Sequence, residues 1–277
     1  MKKTLLLIVL VLLSIFLGYT LAKSSFKVPA VEEESDQDSE AAKKPILRFA
    51  ALSDSQGEND LLKKALETAE GKGINFVVGL GDWSSVGTME QLSVAKQVFD
   101  QSKLEYYVTA GDHDLWDSRN RGEDALSNFK GTFGSAYHLI ERNEIQIVIL
   151  DNSDIYKGIP SESWQLLFDN LEKDVKLRFV MAHKTPFHPD SAHIMGQNAE
   201  NVKAQAENLL EILEEGKISG FFSGDLHFFA EFKTPENAVK ITTIGAVASQ
   251  KNFQGPRFGV VTVYDDYSWK VEDIEIR

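Results

Sequence analysis

Residues 46–82 read ILRFAALSDSQGENDLLKKALETAEGKGINFVVGLGD. An apolar run, Ile46–Leu52, leads into a mixed segment and then into a second apolar run, Ile74–Leu80. In the segment between them, Leu61, Leu62, Ala65, Leu66 and Ala69 recur at helical spacing. That spacing predicts a helix over Asn59–Gly71 with one apolar face. A strand, a helix and a strand in that order favour parallel strands with the helix packed on the sheet. Both apolar runs stop at polar residues, the first at Ser53-Asp54-Ser55-Gln56 and the second at Gly81-Asp82.

The pattern continues toward the C-terminus. Thr88–Asp100 is predicted as a helix, and Thr88 with Gln91 fits a capping box. Tyr106–Ala110 follows as a third strand. Tyr137–Ile140 and Ile145–Leu150 flank Glu141-Arg142-Asn143-Glu144 and predict a hairpin. Ser161–Glu172 and Ala199–Glu215 carry helical patterns. Arg178–Ala182, Gly220–Phe222, Val239–Ile244, Phe258–Tyr264 and Val271–Ile276 read as further strands. The whole predicts one α/β domain over 45–277, with mixed sheets packed face to face and helices outside.

Five of these strands end in a carboxylate or an imidazole. Besides Asp54 and Asp82, Tyr106–Ala110 runs into Gly111-Asp112-His113-Asp114, Arg178–Ala182 into His183, and Gly220–Phe222 into Ser223-Gly224-Asp225-Leu226-His227. The carboxyl ends of strands in an open α/β sheet line one crevice, so these groups are expected to converge. Gathered carboxylates repel one another unless a cation sits among them. Oxygen-rich sites with a few imidazoles suit manganese, iron, magnesium or zinc. Taken singly, a Gly-Asp pair is a turn and a lone histidine a structural group. It is their recurrence at five strand ends that points to a metal centre.

Composition narrows the function. Among 277 residues, 29 Lys and Arg stand against 42 Asp and Glu, a net charge of −13. Nucleic-acid partners are therefore not expected, because such binding calls for a basic face. A small phosphorylated substrate remains compatible, since metal ions supply positive charge locally. Cysteine is absent, which excludes disulfides, zinc–thiolate sites and cysteine nucleophiles. At the N-terminus Lys2 and Lys3 precede an uncharged run, Thr4–Ala22. Two readings fit residues 1–22: an uncleaved signal anchor, or a signal peptide cut after Ala22. Either sends the remaining chain out of the cytoplasm, membrane-anchored or secreted. Residues 23–44 include Glu32, Glu33, Glu34, Asp36, Asp38 and Glu40 and read as an acidic disordered linker.

The ordered blocks Asp54-Ser-Gln56, Gly81-Asp82, Gly111-Asp112-His113-Asp114, His183 and Gly224-Asp225-Leu-His227 resemble those of the calcineurin-like metallophosphoesterase superfamily. The resemblance runs over nearly all of 46–277 and takes in the hairpin to Leu150-Asp151, the Trp164 helix and the Gly245 turn. It implies a four-layer α/β/β/α sandwich of two mixed sheets with flanking helices. It also implies a phosphoester hydrolase, phosphatase or phosphodiesterase, with two metal ions and a metal-bound water as nucleophile. Carried over position by position, Asp54, Gln56 and His227 would hold the first metal, Asp82 would bridge, and Asp112, His183 and Asp225 would hold the second. His113 would be the general acid, with Asp114 orienting it. Three positions depart from the usual pattern: Gln56 stands where His is common, Asp112 where Asn is usual, and Asp225 in place of the first His of the last block. Gln56 resembles the form found in manganese-dependent nucleoside-diphosphate-linked hydrolases, so a nucleotide or diphosphate-bond hydrolase is an alternative. A catalytically silent, membrane-tethered binding domain of the same fold is another. The oxygen-for-nitrogen changes favour Mn, Fe, Mg or Ca over Zn.

Overall fold

The computed structural model describes residues 43–277 except 216 and 237. The signal segment and most of the predicted linker lie outside the described residues. Among the described residues no helix is long and apolar enough to cross a membrane.

The first sheet contains β1 (Pro45–Leu52), β2 (Phe76–Leu80), β3 (Glu105–Thr109), β10 (Arg257–Tyr264) and β11 (Trp269–Glu275), in the order β11-β10-β1-β2-β3. As the opening stretch predicts, β1 and β2 pair in parallel, with Phe49 opposite Phe76. The helices between its parallel strands are α1 (Asn59–Glu70) and α2 (Met89–Gln101). Thr88 caps α2, its side chain accepting from the Gln91 amide at 3.2 Å. The Gln91 side chain turns instead to the Val86 amide, so the box is only half closed. The second sheet contains β4 (His138–Arg142), β5 (Ile145–Ile149), β6 (Leu177–Ala182), β7 (Gly220–Ser223), β8 (Ala230–Lys233) and β9 (Lys240–Thr243), in the order β4-β5-β6-β7-β9-β8. Strands β5, β6, β7 and β9 run parallel, and the two edge strands are antiparallel to their neighbours. The β4–β5 hairpin turns on Asn143 and Glu144, both at positive φ, the geometry of a two-residue turn that matches strand twist.

The inner faces meet in a core that includes Phe49, Ala51, Phe76, Val78 and Leu80 from the first sheet and Ile147, Ile149, Phe179, Met181 and Phe222 from the second. Phe49 and Phe76 stack at 5.3 Å. Burying each such phenyl ring stabilises the fold by about 1.5–3 kcal/mol. On the outer face of the first sheet pack Leu62, Ala65 and Leu66 of α1 and Leu92, Ala95 and Phe99 of α2. On that of the second pack Leu167 of α5 (Ser161–Leu171) and Val202, Ala206, Leu209 and Leu213 of α6 (Glu200–Glu215). The result is helix, sheet, sheet, helix. The short helices α3 (Trp116–Asn120) and α4 (Ser127–Phe133), and strand β8, have no counterpart in the sequence reading. They are too short for a periodic signal, and β8 alternates only half-buried and exposed positions. Phe228, Phe229 and Phe232 are half-buried around this edge strand.

Candidate metal centre

The polar residues that follow β1, β2, β3, β6 and β7 do converge. Their backbone is tightly constrained. Asp54, Gln56, Asp82, Asp225 and His227 all have positive φ, between 44° and 66°. Side chains other than glycine avoid this region, so the concentration of such residues in one place marks stored strain. The loops are stitched together: the Asp54 amide donates to Gly81 O at 2.9 Å, and the Gln56 amide to Asp82 O at 2.8 Å. Gly111 is required by proximity, because a Cβ there would run into the Asp82 carboxylate.

Two sets of ligand atoms result, sharing His183. In one, Asp54, Asp82 and His183 bring theirs within 4.8 Å of one another; in the other, Asp112, His183 and Asp225 do the same. His183 Nδ1 lies 2.7 Å from Leu80 O, which fixes the ring and turns Nε2 to the carboxylates. Nε2 lies 3.6 Å from Asp82 Oδ1, 3.4 Å from Asp112 Oδ1 and 3.6 Å from Asp225 Oδ1. Burial by itself would lower the pKa of His183, but the charges of Asp82, Asp225 and Asp54 and the close approach of Asp112 push it up to about 10. Burial pushes the Asp82 carboxyl well above its ordinary range, helped by Asp112 and Asp54 and opposed by His183.

His227 and Gln56 border the first set. His227 Nε2 is 3.5 Å from Asp54 Oδ1, and Gln56 Nε2 is 3.3 Å from His227 Nε2 and 3.4 Å from Asp82 Oδ2. Half a turn of the amide exchanges Nε2 for Oε1, giving a cation an oxygen instead. The donor set fits a hard or borderline metal, with carboxylates, an amide and imidazoles and no thiolate. Asp54 Oδ1, His183 Nε2 and Asp225 Oδ2 are buried without a hydrogen-bond partner among the described residues. Leaving such atoms unsatisfied costs about 1–3 kcal/mol each, so a cation at this place answers an existing cost.

The other expected residues divide. His113 and His193 line the open cleft over the basin, about 310 Å³ in volume, with Gln56, Asp82, Asp112, Asp225 and His227. The His113 ring stacks on Trp116 at 4.0 Å and its Nδ1 meets Ser85 O at 2.9 Å. Asp114 does not orient it. Its two oxygens accept from the amides of Trp83, Ser84 and Gly111 and from the Ser84 hydroxyl, so Asp114 ties the loop after β2 to the loop after β3. The contacts of the His113 ring are with Ser85 and Trp116 instead. His188 organises its own loop, accepting at Nδ1 from the amides of Asp190 and Ser191. His138 is held by Val108 O at 2.9 Å. Arg119 pairs with Asp154 and Arg257 with Asp273. Lys251, on the cleft wall, went unnoticed because a lone lysine in a loop carries no sequence signal.

A family model described as calcineurin-like phosphoesterase matches residues 47–229. No curated protein matches the chain significantly. Among solved structures, purple acid phosphatase PPD1 from yellow lupin (Lupinus luteus) seeds superposes with a TM-score of 0.61 at 13% identity. That match covers 84% of this chain and 52% of the other, so the chain spans about half the length of the lupin protein. TT1561 of Thermus thermophilus gives a TM-score of 0.55 at 10% identity, covering 84% of this chain and 100% of that one. At such identities the likeness is one of fold. The family match spans the loops that carry Asp54, Asp82, Asp112, His183, Asp225 and His227, and the chain belongs to the calcineurin-like phosphoesterase family.

Proposed function

We propose that the chain is a metal-dependent phosphoester hydrolase acting on a small phosphorylated substrate in the cleft above the basin. The observation that carries this reading is the meeting of Asp54, Asp82 and His183 around buried, unpartnered ligand atoms. Asp54, Asp82, His183, His227 and Gln56 would hold a divalent ion, and Asp112, His183 and Asp225 form a second cation position. A metal ion here supplies Lewis acidity, a lowered pKa for water and charge neutralisation of the phosphoryl group.

The chain's own groups do the rest. The strained loops keep the ligands in place before substrate arrives, so little reorganisation accompanies the reaction. His113 donates its Nδ1–H to Ser85 O, so the doubly protonated ring would be the form that passes its Nε2 proton to the departing alkoxide, leaving the neutral imidazole. His193 and Lys251 add positive charge at the cleft wall, where an anionic substrate enters. The run 4–22 supports a location outside the cytoplasm, and fractionation of cells making the tagged chain tests that; recovery in the cytosol would refute it.

The test is to strip the chain with a chelator, reload it with Mn²⁺, Mg²⁺, Fe²⁺, Ca²⁺ or Zn²⁺, and offer an aryl phosphate and a bis-aryl phosphate. Hydrolysis with Mn²⁺, Fe²⁺, Mg²⁺ or Ca²⁺ above that with Zn²⁺ is expected. Metal binding without turnover of any phosphoester, diphosphates included, would sink the hydrolase reading in favour of the silent domain.

A further inference from the structure

The second acid group of the basin is already met by a cation belonging to the chain. We infer that Lys184 Nζ takes the place of a second metal ion, so that this site works with one metal and one ammonium. The inference rests on the metal-binding reading above and specifies its stoichiometry.

Lys184 follows His183 directly, past the end of β6, and is 4% exposed. Its Nζ lies 2.5 Å from Asp225 Oδ1 and 3.1 Å from Asp112 Oδ1. These are the same two oxygens that approach His183 Nε2 at 3.6 and 3.4 Å. A metal bound by that trio would lie about 2.0–2.6 Å from each oxygen. The ammonium already bridges those oxygens, and it would repel the incoming ion. Entry of a second metal therefore requires expelling a buried, doubly paired cation, and separating a buried pair is costly.

The position of Lys184 is built into the fold. The buried Asn152 amide grips its backbone at both groups, accepting from Lys184 N at 2.9 Å and donating to Lys184 O at 2.7 Å. Asn152 also donates to Met195 Sδ at 3.6 Å, tying the grip to the 185–195 loop. From that loop His193 Nε2 reaches Asp225 Oδ1 at 3.2 Å and covers the same oxygen from the cleft side. Among the described residues no lysine or arginine pairs with the first group, where His227 Nε2 stands 3.5 Å from Asp54 Oδ1. The ammonium is a point charge with three donors, two of them engaged by Asp225 and Asp112.

The decisive measurement is the number of metal ions per chain. The full chain is stripped, incubated with excess Mn²⁺, desalted, and read by elemental analysis and by electron paramagnetic resonance. One Mn²⁺ per chain with an uncoupled spectrum is expected for the unaltered protein. Lys184→Met should take up a second ion and show an exchange-coupled pair, while Lys184→Arg, which keeps the charge, should remain at one. If Lys184→Met does not fold, Lys184→Gln serves in its place. Two coupled Mn²⁺ in the unaltered protein overturn the inference, as does a single ion in both neutral variants. No bound Mn²⁺ at all is a different failure, because it removes the metal-binding reading itself.

Discussion

The two halves of the basin are built from the same kinds of residue and are balanced in opposite ways. On one side Asp54 and Asp82 are buried, and among the described residues neither has a lysine or arginine as ion-pair partner and Asp54 Oδ1 has no hydrogen-bond partner. On the other, Asp112 and Asp225 share Lys184; against the pull of burial, His183 and then Lys184 bring the Asp112 carboxyl below its usual range, and Lys184 foremost does so for Asp225. The first half is poised for a cation from solution, and the second has its cation within the chain. A cluster of acids is thus a poor count of metal ions until the lysines near it have been placed.

Mutations should break this contrast most sharply at its first half. Asp82→Ala removes a carboxylate from the uncompensated group. Loss of bound Mn²⁺ and a fall in phosphoester hydrolysis of about 10³-fold or more, about 4 kcal/mol, are expected. Retained metal at full occupancy, read by elemental analysis, would count against Asp82 as a ligand. In the second half the metal-free protein should respond instead. Lys184→Met leaves Asp112 and Asp225 facing each other, and breaking a buried pair in this way costs about 3–5 kcal/mol. Urea unfolding measures the loss, and added Mn²⁺ should recover part of it in the variant. An unchanged midpoint would mean that the pair contributes nothing.

The cleft above both halves offers a separation of chemistry from structure. His113→Ala should lower turnover by about 10²–10⁴-fold, the range for a positioned proton donor, with metal content intact. Loss of metal would make the His113 side chain a structural group; its backbone amide, which donates to Asp82 Oδ1 at 3.0 Å, is kept in the variant.

Asp151 provides the comparison outside the basin, and the smallest expected effect. It is buried, Ser153 is its side-chain partner, and burial raises its pKa to about 6 from 3.8. Because the folded state binds this proton more tightly than the unfolded chain, its contribution to stability falls as pH rises from about 4 through 6. Above that window the buried carboxylate costs at most about 3 kcal/mol. Asp151→Asn should therefore stabilise the protein at pH 7.5 and change little at pH 4. Thermal unfolding at the two pH values checks this, and an equal shift at both would contradict it.

Much of the architecture was legible along the chain. Leu61, Leu62, Ala65, Leu66 and Ala69 mark a helix by spacing alone, and the abrupt polar stops at Asp54, Asp82 and His183 mark strand ends. Amphipathic periodicity survives folding because each element must bury its own apolar face. The role of Asp114 was not legible, since its neighbour His113 is close in sequence while its actual partners, Ser84 and Trp83, lie thirty residues away.

By itself the sequence determined which elements form, in what order, and that acids and imidazoles would gather at one end of the sheets. Only the tertiary structure decided how their charge is balanced. Residue spacing determines where a backbone turns, whereas the partner of a buried ion depends on which side-chain tip reaches it across the fold. Lys184, 41 residues from Asp225 and 72 from Asp112, meets both at its last atom.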